Sequence, residues 1–235
     1  LCILLGLWLV AAHRYGPGIV PGPVDVWDRF VSAWKEGIFW PAVGTTALEA
    51  ALGWGLGCVT GLSLGYALGR WRAVELTVAP YVSASQAMPV LAIAPLLVIW
   101  LGFGLEPKVV VAALIVLFPV MTTTMAGIRG IDRSLRDVAV VFGAGFFQTI
   151  VFLEAPVAAR SIFAGLKIGA VLSVTGAVVG EYVSSDQGLG YLVQFGRFQF
   201  DTPLTFVALI ALMLLGGLAY AALSTLERLV LRWTE

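Results

Sequence analysis

Apolar residues run along this chain in long blocks that are nearly free of charge and are joined by short polar connections. Gly44 to Gly69 carries only Glu49, and Ser161 to Gly180 only Lys167; Leu76 to Leu105, Val109 to Ile128 and Thr202 to Leu226 carry no charge. A hydrocarbon core of about 30 Å takes roughly 20 helical residues to cross, and each block has that length. Leu1 to Ala12 is equally apolar but shorter, and reads as a truncated first span. The pattern predicts an all-α membrane protein with six transmembrane helices, the first truncated, in a single domain covering 1–235. Leu76 to Leu105 contains Pro80, Pro89 and Pro95 and overshoots one crossing. A kinked or partly interfacial segment is expected there, its freed carbonyls facing protein or a cavity.

Finer periodicities lie within and between these blocks. Gly53, Gly57, Gly61, Gly65 and Gly69 recur every four residues. They share one helix face that a neighbouring backbone can approach closely, either as fixed packing or as a face along which helices slide. From Asp25 to Phe39, Val26, Trp27, Phe30, Val31, Trp34 and Ile38 alternate with charged residues near helical spacing. That pattern predicts an amphipathic helix, lying at the membrane interface or packed on the bundle.

Composition narrows the class. Hydrophobic residues make up 60% of the chain and charged residues 12%, where ordinary globular domains carry about 25% charged, so a soluble fold is excluded. The net charge of zero, without basic runs, argues against a nucleic-acid partner. Cys2, Cys58 and His13 lack the number and spacing of a disulfide framework or a metal site. An intramembrane hydrolase needs a Ser–His, paired-Asp or zinc constellation at depth, and none is visible. Summed over alternate connections, Arg70, Arg72, Arg129, Arg133, Arg136, Arg160, Arg228 and Arg232 fall on one side. Arg14, Arg29, Lys35, Lys108 and Arg197 fall on the other. This excess places the first side, and both chain ends, in the cytoplasm.

On that side runs Arg129 to Arg160, long for a turn and too apolar to remain in water. Asp132 or Ser134 can cap a short helix carrying Leu135, Val138, Val141 and Phe142. Gly143-Ala144-Gly145 supplies a left-handed turn, and Phe146 to Leu153 starts a second helix that Pro156 is expected to end. Arg129, Arg133 and Arg136 are expected on the polar side, facing an acidic rim or anionic head groups.

At these residues the chain resembles the permease subunits of ATP-binding-cassette importers. Their signature is Glu-Ala-Ala, three residues, Gly, nine residues, then Ile-x-Leu-Pro. Here Asp137-Val138-Ala139, Gly143 and Leu153-Glu154-Ala155-Pro156 keep that spacing. Asp137 stands for Glu, Val138 for the first Ala, Leu153 for Ile and Ala155 for Leu. The likeness extends from Val20 to Trp233 and is strongest to the nitrate, taurine, sulfonate and thiamine-precursor branch. It is carried by Pro21-Gly22-Pro23, Gln86-Ala87-Met88-Pro89, Ala94-Pro95-Leu96-Leu97-Val98-Ile99-Trp100-Leu101-Gly102-Phe103-Gly104, Phe118-Pro119 and Gly188-Leu189-Gly190-Tyr191-Leu192. Gly176 to Val183 followed by the last of these looks most like permeases for thiamine-precursor pyrimidines or riboflavin.

The resemblance implies a type I importer fold with cytoplasmic coupling helices in the inner membrane. Two permease copies form a homodimer, an ATPase subunit pair docks on their knobs, and an external binding protein delivers substrate. Asp137, Ala139, Gly143, Gly145, Leu153 and Pro156 are then the ATPase-coupling residues. The chain needs no catalytic residue and no cofactor, ATP and Mg belonging to the partner ATPase. Consistently, Lys35, Lys108 and Lys167 follow Trp, Pro and Leu, so none completes a Walker phosphate loop. A channel or scaffold without ATP coupling has no need of the apolar knob.

Pathway candidates come from ionisable and polar groups at depth. Glu49 is read as an interfacial carboxylate beside Thr45 or a pathway group. Glu181 and Tyr182 close the fifth span on its outer side, as an outer gate or docking contact or as a solvated helix end. Gln86 and Met88 flank Pro89, where a broken helix can open a cavity, although a buried Gln bonding a neighbouring helix is the alternative. Apart from Lys167 the spans are expected to hold no cation, which favours a small heterocycle over taurine, aliphatic sulfonates or nitrate.

Overall fold

The computed structural model describes residues 2–16, 18–86 and 88–231; Leu1, Ala87, Arg232 and Trp233, named above, lie outside these. All regular structure among them is helical: α1 (Cys2–Tyr15), α2 (Pro23–Lys35), α3 (Phe39–Arg70), α4 (Arg72–Gln86), α5 (Val90–Leu101), α6 (Leu105–Arg129), α7 (Arg133–Val141), α8 (Phe146–Thr149), a π-helical turn (Ile150–Glu154), α9 (Ala155–Ser184), α10 (Leu189–Phe198) and α11 (Thr202–Val230). Helices satisfy every backbone polar group within one segment, which hydrocarbon demands of a spanning element.

The glycine face of α3 packs on α6. A Cβ placed on Gly57 falls 2.7 Å from Val116 Cβ, and one on Gly65 falls 2.5 Å from Met121 O. Gly53 meets Ala112, Gly61 meets Val120 and Gly69 meets Ile128, so the two helices run parallel in constant register. On its other side α6 takes α9 antiparallel, with Gly165 on Thr123, Gly169 on Val116 and Gly176 on Ala112. Ala112, Val116 and Val120, between the two glycine faces, are wholly buried. Close backbone approach on both sides supplies the dispersion contact that lipid cannot drive by exclusion from water.

Because α3 and α6 run the same way, α4 and α5 must carry the chain back between them. They do so as a pair bent by 94°. Four helical runs are long and apolar enough to cross a membrane: Phe39–Arg70, Leu105–Arg129, Phe146–Ser184 and Thr202–Val230. Counted as one broken span, the bent pair gives a fifth crossing. The described residues thus give up to five crossings against the six expected; the difference is α1, whose 14 residues fall short of the thickness.

The amphipathic segment forms α2 and packs on the bundle, with Val26 and Ala33 buried and Phe30 against Phe39, Leu204 and Val207. Arg29 Nε bonds Asp201 Oδ2 at 2.6 Å, and Asp201 Oδ1 caps α11 by accepting from Leu204 N. These directions collect Arg70, Arg72, Arg129, Arg133 and Arg136 at one end, where α3 and α6 finish. The remote end holds the start of α3 and α6 and the finish of α9.

Candidate functional site

The arginine-rich end carries a projecting knob. Asp132 caps α7 by accepting from Ser134 N at 3.0 Å, and that bond holds its carboxyl below the usual range. Gly143, at φ 71°, ends the helix: Ala144 N donates to Ala139 O and Gly143 N to Val140 O, both at 2.9 Å. This is a Schellman closure, in which glycine takes the left-handed residue without a Cβ clash. Gln148 Oε1 then caps α8 from Gly145 N at 2.8 Å. Val140, Val141, Phe142, Phe147 and Phe152 are all at least 74% exposed. Asp137 and Gly145 are exposed, while Ala139, Leu153 and Pro156 are half-buried, so all the expected coupling residues belong to this knob and its root.

Pro156 does not end the second helix. Ala155 N reaches back to Ile150 O across the wide π turn, and the chain continues through Pro156 into α9 as one helical run of 39 residues. Pro156 falls in the first turn of α9, where its missing N–H and fixed φ are tolerated.

The root of the knob is polar and internally paired. Glu154, at 0% exposure, accepts from Tyr66 Oη at 2.7 Å and Arg136 Nε at 3.1 Å, and pairs with Arg70 Nε at 3.2 Å. Arg136 also donates to Ile128 O at 2.7 Å. Arg129 pairs with Glu75 at 2.6 Å and donates to Leu68 O at 3.2 Å. Arg129 and Arg136 therefore reach onto helix ends instead of an outside acidic rim; Arg129 and Arg133 are nevertheless exposed, and Arg136 is half-buried. With Arg70, Arg72 and Glu75 these three arginines line a cavity of about 290 Å³.

At the remote end a second polar cluster is buried. Lys108 Nζ lies 2.8 Å from both Glu49 Oε1 and Ser185 Oγ. Thr46 Oγ1 donates to Glu181 Oε1 at 2.6 Å and accepts from Leu189 N at 2.8 Å. Glu181 Oε2 accepts from Gly190 N and Tyr191 N, capping the first turn of α10. Glu49 and Glu181 are 1% and 2% exposed, which corrects the solvated-end reading of Glu181, and Glu49 bonds Lys108, not the Thr45 hydroxyl. Lys108, counted above with a connection, is a buried cation at the head of α6. Lys167, the other deep cation, pairs with Glu227 at 2.6 Å and fastens α9 to α11.

The remaining pathway candidates are scattered. Tyr182 joins Thr175 and Tyr220 along a largely aliphatic groove of about 680 Å³ between α9 and α11. Gln86 and Met88 stand exposed on either side of the α4–α5 break, and Gln86 is not buried against a neighbour as the alternative required. Among the described residues no group of three or more His, Cys, Asp or Glu is placed to hold a metal.

Residues 57–234 match the family described as binding-protein-dependent transport system inner membrane component. The chain belongs to that family. This permease is 42% identical to the riboflavin transport system permease protein RibX of Chloroflexus aurantiacus, over 99% of this chain and 88% of that protein. It is 33% identical to the formylaminopyrimidine transport permease protein ThiX of Halalkalibacterium halodurans, over 99% and 93%. A putative aliphatic sulfonates transport permease protein, SsuC of Bacillus subtilis, is 30% identical over 98% and 84%. In fold, the permease superposes on a chain of the inward-facing MetNI methionine ABC transporter with a TM-score of 0.67 at 20% identity, covering 80% of this chain and 94% of that one. It is thus a permease of the ABC importer type with the type I fold.

Sequence reasoning about the permease missed Thr46, Tyr66, Arg70 and the inward role of Glu154. Glu154 carried a usable signal, since an ionisable residue inside the apolar run from Phe146 calls for a buried partner.

Proposed function

We propose that two copies of this permease form one substrate pathway across the inner membrane, with the segment 129–160 of each docked on an ATPase subunit. The exposed apolar surface of Val140, Val141, Phe142, Phe147 and Phe152 carries this reading. Such a patch at the arginine-rich end needs a partner, and the positive-inside rule puts that end, with the finish of α11, in the cytoplasm. ATP and Mg bind the ATPase pair, whose closure moves the two knobs and switches the pathway between its faces. Asp137, Ala139, Gly143, Gly145, Leu153 and Pro156 shape the contact, and an external binding protein delivers the substrate.

The substrate is a small heterocycle, riboflavin or a thiamine-precursor pyrimidine. The likenesses to a riboflavin permease and a formylaminopyrimidine permease support this. So does the pairing of Lys108 with Glu49 and of Lys167 with Glu227, which neutralises the cations that would attract a sulfonate or nitrate. The test is uptake of labelled riboflavin and hydroxymethylpyrimidine into proteoliposomes holding permease, ATPase and binding protein. ATP-dependent uptake of either supports the assignment. Uptake without ATP overturns the importer reading in favour of a channel, and ATP-dependent uptake of taurine alone overturns the heterocycle.

A further inference from the structure

Glu154 sits where the knob joins the bundle, in a position that the π turn creates. Phe147, Val151 and Glu154 are spaced four and then three apart, which on an unbroken α-helix puts them on one face. Instead Phe147 and Val151 are exposed and Glu154 is wholly buried. The wide turn at Ile150–Glu154 rotates the segment before it relative to α9, so an apolar outer surface and an inward carboxylate coexist within two turns.

Three side chains from two helices share that carboxylate. Tyr66 and Arg70, one turn apart on α3, both reach it, at 2.7 and 3.2 Å. Arg136 reaches it from α7 at 3.1 Å and continues to Ile128 O at the end of α6, at 2.7 Å. With no carboxylate there, Arg70 and Arg136 would face each other as like charges, and Tyr66 Oη would lose its acceptor.

We infer that Glu154 is the positioning residue that makes the knob and the α3–α6–α9 core one mechanical unit. This rests on the reading of the knob as the ATPase contact. The apolar surface binds the partner, whereas Glu154 determines whether displacement of α7 and α8 reaches the spanning helices. Loosening it therefore separates docking from coupling.

The experiment uses the assembled complex of permease, ATPase and binding protein in proteoliposomes. Glu154→Gln keeps an acceptor of similar shape but loses the charge. The ATPase is expected to copurify in unchanged ratio, with basal hydrolysis unchanged. The stimulation of hydrolysis by substrate-loaded binding protein should fall about tenfold, together with uptake. Arg136→Gln should do the same, and the double variant Arg136→Gln/Glu154→Gln should be no worse than either single one, because both act through one contact. Full stimulation in Glu154→Gln, or losses that multiply in the double variant, overturn the inference. Should Glu154→Gln fail to accumulate in the membrane, Tyr66→Phe, which removes one hydroxyl, decides: a stimulation ratio lowered about twofold or more supports the inference, and an unchanged ratio overturns it. Phe142→Asp and Phe147→Asp test the underlying reading separately. Retention of the ATPase by both would overturn docking at the knob, whatever Glu154 does.

Discussion

Lys108 Nζ and Glu49 Oε1 lie 2.8 Å apart, joining the head of α6 to α3 towards the end remote from the knob. Both side chains are over nine-tenths buried, so each charge depends on the other for the solvation it has lost. Lys108→Met or Glu49→Met alone should destabilise the permease by about 3–5 kcal/mol, because a lone charge stays buried. The double variant Glu49→Met/Lys108→Met should recover most of that loss. Thermal unfolding in detergent checks both; a double variant as unstable as the singles would mean that the pair acts through other partners.

The α3 glycines separate into two kinds. Gly61 has no room, since a Cβ would sit 2.9 Å from Leu117 O and from Val120 Cβ, whereas a Cβ on Gly55 meets nothing within 4 Å. Gly61→Ala should force α3 and α6 apart and cost about 1–3 kcal/mol. Gly55→Ala should be neutral or stabilising by up to about 1 kcal/mol, from helix propensity alone. The same unfolding assay compares them, and equal effects would argue against the α3–α6 register.

What the sequence made legible divides along a physical line. Spacing within one helix fixes which residues share a face, so the glycine stripe, the α2 amphipathic face and the Gly143 turn were readable from local pattern. Partners across the bundle were not. Nothing local connects Glu49 to Lys108, or Thr46 to Glu181, and Thr45 was taken as the relevant hydroxyl although Thr46 faces the cluster. Pro156 misled for a related reason: proline reads as a stop, but a π turn upstream supplies a register in which it begins a helix. The reach of Arg129 and Arg136 onto helix ends was hidden too, because the carbonyls they cap, Leu68 and Ile128, carry no sequence signature.

Gly143 offers a test of the knob's shape independent of its charge. At φ 71° a β-branched residue pays a left-handed penalty of about 1–2 kcal/mol, while Asn tolerates the region. Gly143→Val should distort the α7–α8 turn and lower both ATPase copurification and uptake; Gly143→Asn should retain most of each. Equal loss in both variants would point to contact with the glycine itself instead of its backbone angle.

The last prediction concerns the loop that leads into α10. Gly188 has φ 112°, and a Cβ on it would lie 2.3 Å from the Glu181 carboxyl carbon, so no side chain fits without moving that carboxylate. Glu181 in turn holds Gly190 N and Tyr191 N, and Thr46 Oγ1 holds Leu189 N. Gly188→Ala and Glu181→Leu, which leaves no acceptor, attack the same contact from its two sides. Both should free the Gly190 and Tyr191 amides, read as faster hydrogen exchange there, with α3 and α6 protection kept because the glycine stripe is untouched. Stability should fall by about 1–3 kcal/mol in each, the cost of leaving buried donors without their acceptor. If exchange rises instead along α3 or α6, Glu181 stabilises the core as a whole; if no amide responds, water or a neighbouring group has replaced it as the cap.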